Sequence, residues 1–69
     1  MFSRKVKILL MDKHLQQKQL AEKLNTSKNN LNNKLVKDNF TEKDMQSIAN
    51  ALNCELVIKL IDKETGQEY

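Results

Sequence analysis

Residues Gln17–Leu35 read QKQLAEKLNTSKNNLNNKL and decide the fold of the chain. In the first half, Leu20, Ala21 and Leu24 lie on one face of a helix from about residue 17 to residue 24. Asn25 follows where the helix must end in a left-handed residue, and Asn adopts that backbone more readily than any residue except Gly. The pattern therefore predicts a short helix that ends in a tight turn.

The second half of this stretch predicts another helix. The Ser27 hydroxyl can cap it by accepting a hydrogen bond from the amide of Asn29 or Asn30. Leu31 and Leu35 share one face at i, i+4 and would point inward. The other positions carry amides and lysines, although Asn is a poor helix former. Two explanations stay open: a solvated helix face in an organism whose proteins are rich in Asn, or a surface that enters a DNA groove.

Apolar spacing predicts one helix before this stretch and one after it. In the first, Val6, Leu9 and Leu10 are helically spaced, and Ser3 is the expected N-cap. The last helix is expected to begin after Thr41, because Asp44 stands three residues later and completes a capping box. Its apolar stripe comprises Met45, Ile48, Ala49 and Leu52, and Asn53 is expected to close it.

After residue 53 the apolar period changes from helical to two. Leu56, Ile58 and Leu60 alternate with more polar positions, which is typical of a strand. Residues 62–66 predict a turn, in which Gly66 suits a positive φ. The strand could fold back on its own chain as a small hairpin, or it could pair with a second copy.

These elements predict an all-α fold with four (at most five) helices and a C-terminal β-strand or hairpin arm. The helical part, residues 1–53, is expected to be one domain, and residues 54–69 the arm. The single Cys54 excludes an internal disulfide and a cysteine-based metal site. Because no apolar run reaches about 18 residues and no signal peptide is visible, we expect a cytoplasmic protein.

Charge is distributed unevenly along the chain. Residues 1–37 hold nine bases and two acids, a net charge of +7, whereas residues 38–69 hold three bases and seven acids, a net charge of −4. A lysine-rich solubilising surface is one explanation. Because the basic half coincides with the two-helix stretch, a polyanionic partner is the explanation we favour.

Two helices that pack steeply around a small residue, here Ala21, are the geometry of a helix-turn-helix. Gln17–Leu35 resembles the Cro/phage-repressor (Xre-like, lambda-repressor-like) helix-turn-helix family. The four helices together are similar to that family's layout over roughly residues 4–53. The resemblance implies that the second helix of the motif, residues 28–36, enters the major groove of double-stranded DNA.

The resemblance also implies roles for individual residues. Gln17 would hold a phosphate, while Lys28, Asn29, Asn32 and Asn33 would face bases. Since Asn can bond bidentately to adenine, a site rich in A·T pairs is expected. Four further residues are expected to bind DNA. Ser27 caps the helix that would enter the groove, and Lys18, Lys34 and Lys37 are suited to backbone phosphates.

Members of this family generally bind two-fold symmetric DNA as dimers. We expect the arm to supply the homodimer contact, through Leu56, Val57, Ile58 and Leu60. The predicted function is a transcriptional regulator, most simply a repressor, of phage or mobile-element type. The alternative is a protein-interaction module, such as an antitoxin or inhibitor, that binds a partner protein through the strand.

Catalysis finds no support in the sequence. It contains no phosphate-binding Gly loop and no Ser/His/Asp set, and one His without a Cys or acidic cluster makes no metal site. We therefore expect no enzyme activity, no metal, no cofactor and no small-molecule ligand.

Overall fold

The computed structural model describes residues 1–69 and contains four helices. Their bounds are α1 Phe2–Asp12, α2 Gln17–Lys23, α3 Lys28–Lys37 and α4 Glu42–Ala51. The predicted all-α class is confirmed. None of the helices is long and apolar enough to cross a lipid bilayer.

α1, α2 and α3 each contribute two residues to one hydrophobic core, to which α4 adds Ile48 and the chain directly after α4 adds Leu52. Leu20 of α2 lies at its centre and is fully buried. Its small neighbour Ala21 is also buried, which allows α2 and α3 to approach closely. The core comprises Val6, Leu10, Leu20, Ala21, Leu31, Leu35, Ile48 and Leu52.

The ends of the helices are set by side chains and by left-handed residues. Ser27 Oγ accepts from the Asn30 amide at 3.0 Å, as predicted. The predicted capping box of α4 is confirmed, since Thr41 Oγ1 accepts from the Asp44 amide and Asp44 Oδ2 accepts from the Thr41 amide. Each helix is followed within two residues by a non-glycine residue at positive φ, namely His14, Asn25, Asp38 or Asn53.

The prediction that Ser3 is the N-cap of α1 is wrong. The helix begins at Phe2, and Ser3 lies inside it with a buried side chain. Ser3 Oγ donates to the Leu35 carbonyl at 2.7 Å, and the Ser3 backbone amide donates to Asp38 Oδ1 at 3.0 Å. The Met1 ammonium also pairs with Asp38. These contacts tie the start of α1 to the end of α3.

The predicted C-terminal strand is not formed. Residues 54–60 have no regular secondary structure and belong to no sheet, and one antiparallel bridge joins Ile61 to Glu68. The predicted turn is present, with Gly66 at φ 76°. The physical reason is that a strand needs a neighbour for its backbone groups, whereas the returning residues reach back only to Leu60, which exchanges hydrogen bonds with Tyr69.

The C-terminal segment, residues 54–69, also elongates the molecule. The principal extents are 43 × 23 × 17 Å, and the radius of gyration is 13.8 Å. A compact chain of this length would have a radius of gyration of about 11 Å. The C-terminal segment therefore lies mostly outside the helical body.

Candidate nucleic-acid interface

The turn between α2 and α3 is held by backbone hydrogen bonds. Asn25 adopts φ 55°, as predicted, and its amide donates to the Glu22 carbonyl at 3.2 Å. The next amide, that of Thr26, donates to the Ala21 carbonyl at 3.0 Å. With the carbonyls of its last turn bonded, α2 ends at Lys23, and α3 begins at Lys28 after a four-residue turn.

The rotation of α3 about its axis is fixed by Leu31 and Leu35, which are 2% and 3% exposed. At about 100° per residue, Asn29 and Asn33 then lie on the side opposite the core. Lys28 belongs to one edge of this outer surface. The exposed side chains of α3, which we call the outer face, are Lys28, Asn29, Asn30, Asn32, Asn33, Lys34, Val36 and Lys37.

No other part of the chain covers the base-facing candidates. Lys28, Asn29, Asn32 and Asn33 are all exposed, and their side chains make no hydrogen bond or ion pair within the molecule. The structure thus brings these four predicted residues together on one helix, with their amide and ammonium groups directed to solvent. Such groups can donate to and accept from base edges without first breaking an internal contact.

Lys34 differs from the other predicted DNA-binding lysines. Its Nζ lies 3.1 Å from Asp44 Oδ1, so it bridges α3 to α4. The Thr41 backbone amide, and then Lys34, hold the pKa of Asp44 below the ordinary value of 3.8. Lys34 is still half exposed, but a phosphate would have to compete with Asp44 for its ammonium group.

The two predicted residues of α2 lie at its beginning. Gln17 is its first residue and is half-buried, whereas Lys18 is exposed. Directly before them, the Gln16 amide donates to Gln19 Oε1 at 2.8 Å, which stabilises the start of the helix. Lys37 is exposed in the last turn of α3, and Ser27 is occupied as the cap.

A small cavity of about 170 Å³ lies between α3 and α4. Leu31 and Ile48 form part of its apolar wall, and Lys34 and Asp44 meet on its polar side. No group of three His, Cys, Asp or Glu side chains in the molecule could hold a metal ion. The cavity lies beside the outer face of α3 and leaves its base-facing candidates free.

The predicted dimerisation residues are brought together only in part. Leu56, Val57 and Ile58 line an apolar groove of about 470 Å³ beside α1 and α4, and Leu56 is half-buried there, whereas Leu60 lies outside it. Val57, Ile58 and Leu60 are 60%, 54% and 73% exposed. The backbone groups of residues 55–59 make no hydrogen bond within the chain. The segment is therefore an apolar stretch whose backbone groups are unpaired.

Sequence reasoning missed two features near α3. One is Val36, the exposed apolar residue of the outer face, which a helical projection based on Leu31 and Leu35 would have found. The other is the contact of Ser3 with Asp38, which joins residues 35 positions apart and leaves no local pattern.

No family model, curated protein or solved structure matches this chain. The case for a function consequently depends on the geometry and chemistry of the surfaces described above.

Proposed function

We propose that this chain is a sequence-specific double-stranded DNA-binding regulator of the Cro/phage-repressor type, acting as a repressor. The observation that carries the proposal is the outer face of α3. Two buried leucines fix its rotation, and its amides and ammonium groups, except that of Lys34, have no partner within the molecule. This face belongs to the half of the chain that carries a net charge of +7. Double-stranded DNA fits both the positive charge and the free amides, because it is a polyanion whose base edges offer hydrogen-bond donors and acceptors.

In the proposed complex, α3 lies in the major groove and α2 crosses the backbone. Asn29 and Asn32 read adenines, since each amide can donate to N7 and accept from the N6 amino group. Gln17, Lys18 and Lys37 bind phosphates, which sets affinity and register but carries no sequence information. A regulator of this kind acts by occupying its site, so that polymerase or another protein cannot bind there.

The decisive experiment is selection of bound duplexes from random DNA, followed by affinity measurements at several salt concentrations. We expect an A·T-rich, two-fold symmetric sequence to be enriched. If a dimer neutralises about eight phosphates, the logarithm of the association constant falls against the logarithm of salt with a slope of about −7. A slope near zero, or no enriched sequence, would overturn the proposal.

A paired variant tests the base-facing residues. Asn29→Ala with Asn32→Ala removes two bidentate contacts, each of which discriminates by about 1–3 kcal/mol, so sequence preference should collapse. The matched control is Asn50→Ala, which removes an exposed amide from α4. The control should bind the selected duplex as the unmodified protein does.

We further propose that the DNA-bound form is a homodimer in which residues 55–61 of two copies pair antiparallel. The unbonded backbone of residues 55–59 supports this, because an exposed strand edge is stabilised by a second strand. Ile58→Lys should give monomers in sedimentation, whereas Ile8→Lys, the same change at an exposed position of α1, should leave the mass unchanged. An unchanged mass for Ile58→Lys would refute this pairing.

The same exposed segment favours a second candidate function, an interaction module that binds another protein by adding a strand. The variants already described separate the two candidates. A protein partner that is lost with Ile58→Lys but retained by the Asn29/Asn32 variant would favour the interaction module. Loss of DNA binding in the Asn29/Asn32 variant favours the regulator.

A further inference from the structure

Val36 is an apolar residue in an otherwise polar setting. Its side chain is 72% exposed, and it is the only large apolar side chain of α2, α3 or α4 that is exposed. It lines none of the cavities described above. Isolated exposed apolar residues are common on proteins, so exposure alone carries no conclusion. The position of Val36 on α3 is what makes it informative.

Val36 continues the row of base-facing candidates. It follows Asn29 by seven residues and Asn32 by four, which places all three on one side of the helix. Seven residues advance about 10.5 Å along a helix, or about three base-pair steps of 3.4 Å. A Val side chain also lowers helix propensity relative to Lys, Glu or Ala, so neither solubility nor helix formation explains it.

We propose, building on the DNA-binding function above, that Val36 reads the 5-methyl group of a thymine in the major groove. That methyl is the apolar group by which a base pair is distinguished in this groove. Contact between the isopropyl group of Val36 and the methyl removes both from water, which favours association. The thymine lies up to three base pairs from the pair contacted by Asn29.

The test uses the duplex enriched by the unmodified protein, with each thymine replaced in turn by deoxyuridine. This replacement removes only the methyl group and keeps the base pairing. We expect one position at which the unmodified protein loses about fourfold in affinity, which corresponds to the transfer of one methyl-sized group. Val36→Ala should show a similar loss on the thymine duplex and no further loss with uracil at that position.

A matched control is Met11→Ala, which truncates an exposed apolar residue of α1 and should retain the uracil profile of the unmodified protein. Identical uracil profiles for Val36→Ala and the unmodified protein would overturn the thymine contact while leaving the regulator intact. A lower mass of Val36→Ala in sedimentation would assign Val36 to self-association and would also overturn it. If no duplex is enriched at all, the DNA-binding function itself fails, and this inference with it.

Discussion

The helical body, residues 1–53, and the C-terminal segment, residues 54–69, show equally regular apolar patterns but different outcomes. All nine buried apolar residues belong to the body, and none to the segment. A helix satisfies its backbone hydrogen bonds within itself, so an apolar stripe only has to find other stripes. A strand needs a neighbour, and residues 67–69 make backbone hydrogen bonds only to Leu60 and Asp62. An alternating pattern thus indicates which face would be buried, but not whether a partner is present.

The largest difference between the two regions should appear when the same substitution is made in each. Leu20→Ala leaves a cavity at the centre of the body and should destabilise it by about 2–5 kcal/mol, enough to unfold a domain this small. Leu60→Ala in the exposed segment should change stability by less than about 0.5 kcal/mol. Urea unfolding at concentrations where the protein is monomeric measures both. Equal costs would mean that the segment is part of the folded core.

A smaller effect is expected at Asp38, which follows α3 and accepts hydrogen bonds from Ser3 at the start of α1. Asp38→Ala removes the acceptor for the Ser3 amide and places a less tolerant residue at φ 52°, so we expect a loss of about 0.5–2 kcal/mol. Asp38→Asn keeps an oxygen acceptor and a residue that tolerates this backbone, and should cost less. Thermal unfolding of the two variants gives the comparison. If Asp38→Asn lowers stability as much as Asp38→Ala, the carboxylate charge beside the Met1 ammonium matters more than the hydrogen bond from the Ser3 amide.

The segment should respond to charge in a way that the body does not. In an antiparallel pair of residues 55–61 centred on Ile58, Glu55 of one copy is the diagonal neighbour of Lys59 of the other, within reach of these long side chains. Glu55→Lys replaces two attractive pairs by repulsive ones, each worth about 0.2–1 kcal/mol, and should weaken dimerisation. The double variant Glu55→Lys with Lys59→Glu should restore it. Sedimentation over a concentration series measures the change, and a double variant as weak as the single one would exclude this register.

The smallest effect concerns the pH dependence of the body. The pKa of Asp44 is lowered in the folded state, first by the Thr41 amide and then by Lys34. This contribution to stability is therefore complete above the unfolded pKa near 3.8, and is lost as the pH falls through the lower folded pKa. Asp44→Asn should make the free energy of unfolding depend less on pH below about pH 4. A variant whose acid unfolding matches that of the unmodified protein would show that other carboxylates control it.

Local signals predicted most of the body. Asn25 and Ser27 gave the boundaries of the two-helix stretch, and Thr41 with Asp44 gave the start of α4, because caps and left-handed residues act within four positions. Contacts between distant positions could not be predicted in this way. The bond from Ser3 to Leu35 and the pairing of Lys34 with Asp44 depend on how the helices pack, which no periodic pattern specifies.

The candidate interface was predictable in composition but not in detail. Leu31 and Leu35 fix which side of α3 faces solvent, so the exposure of the asparagines follows from the sequence alone. The engagement of Lys34 required the position of α4. Alternation predicts a strand over residues 54–61, and this prediction is wrong because an alternating pattern does not specify a pairing partner; the turn predicted at residues 62–66 is present.

The four non-glycine residues at positive φ restrict which substitutions the protein tolerates. His14, Asn25 and Asn53 are exposed, and by burial alone they would accept almost any side chain. Their backbone instead admits little beyond Gly, Asn, Asp and His, and a β-branched residue would clash with its own main chain. Mutational scanning should therefore find these solvent-facing sites almost as restrictive as the hydrophobic interior, for reasons of stereochemistry and not of packing.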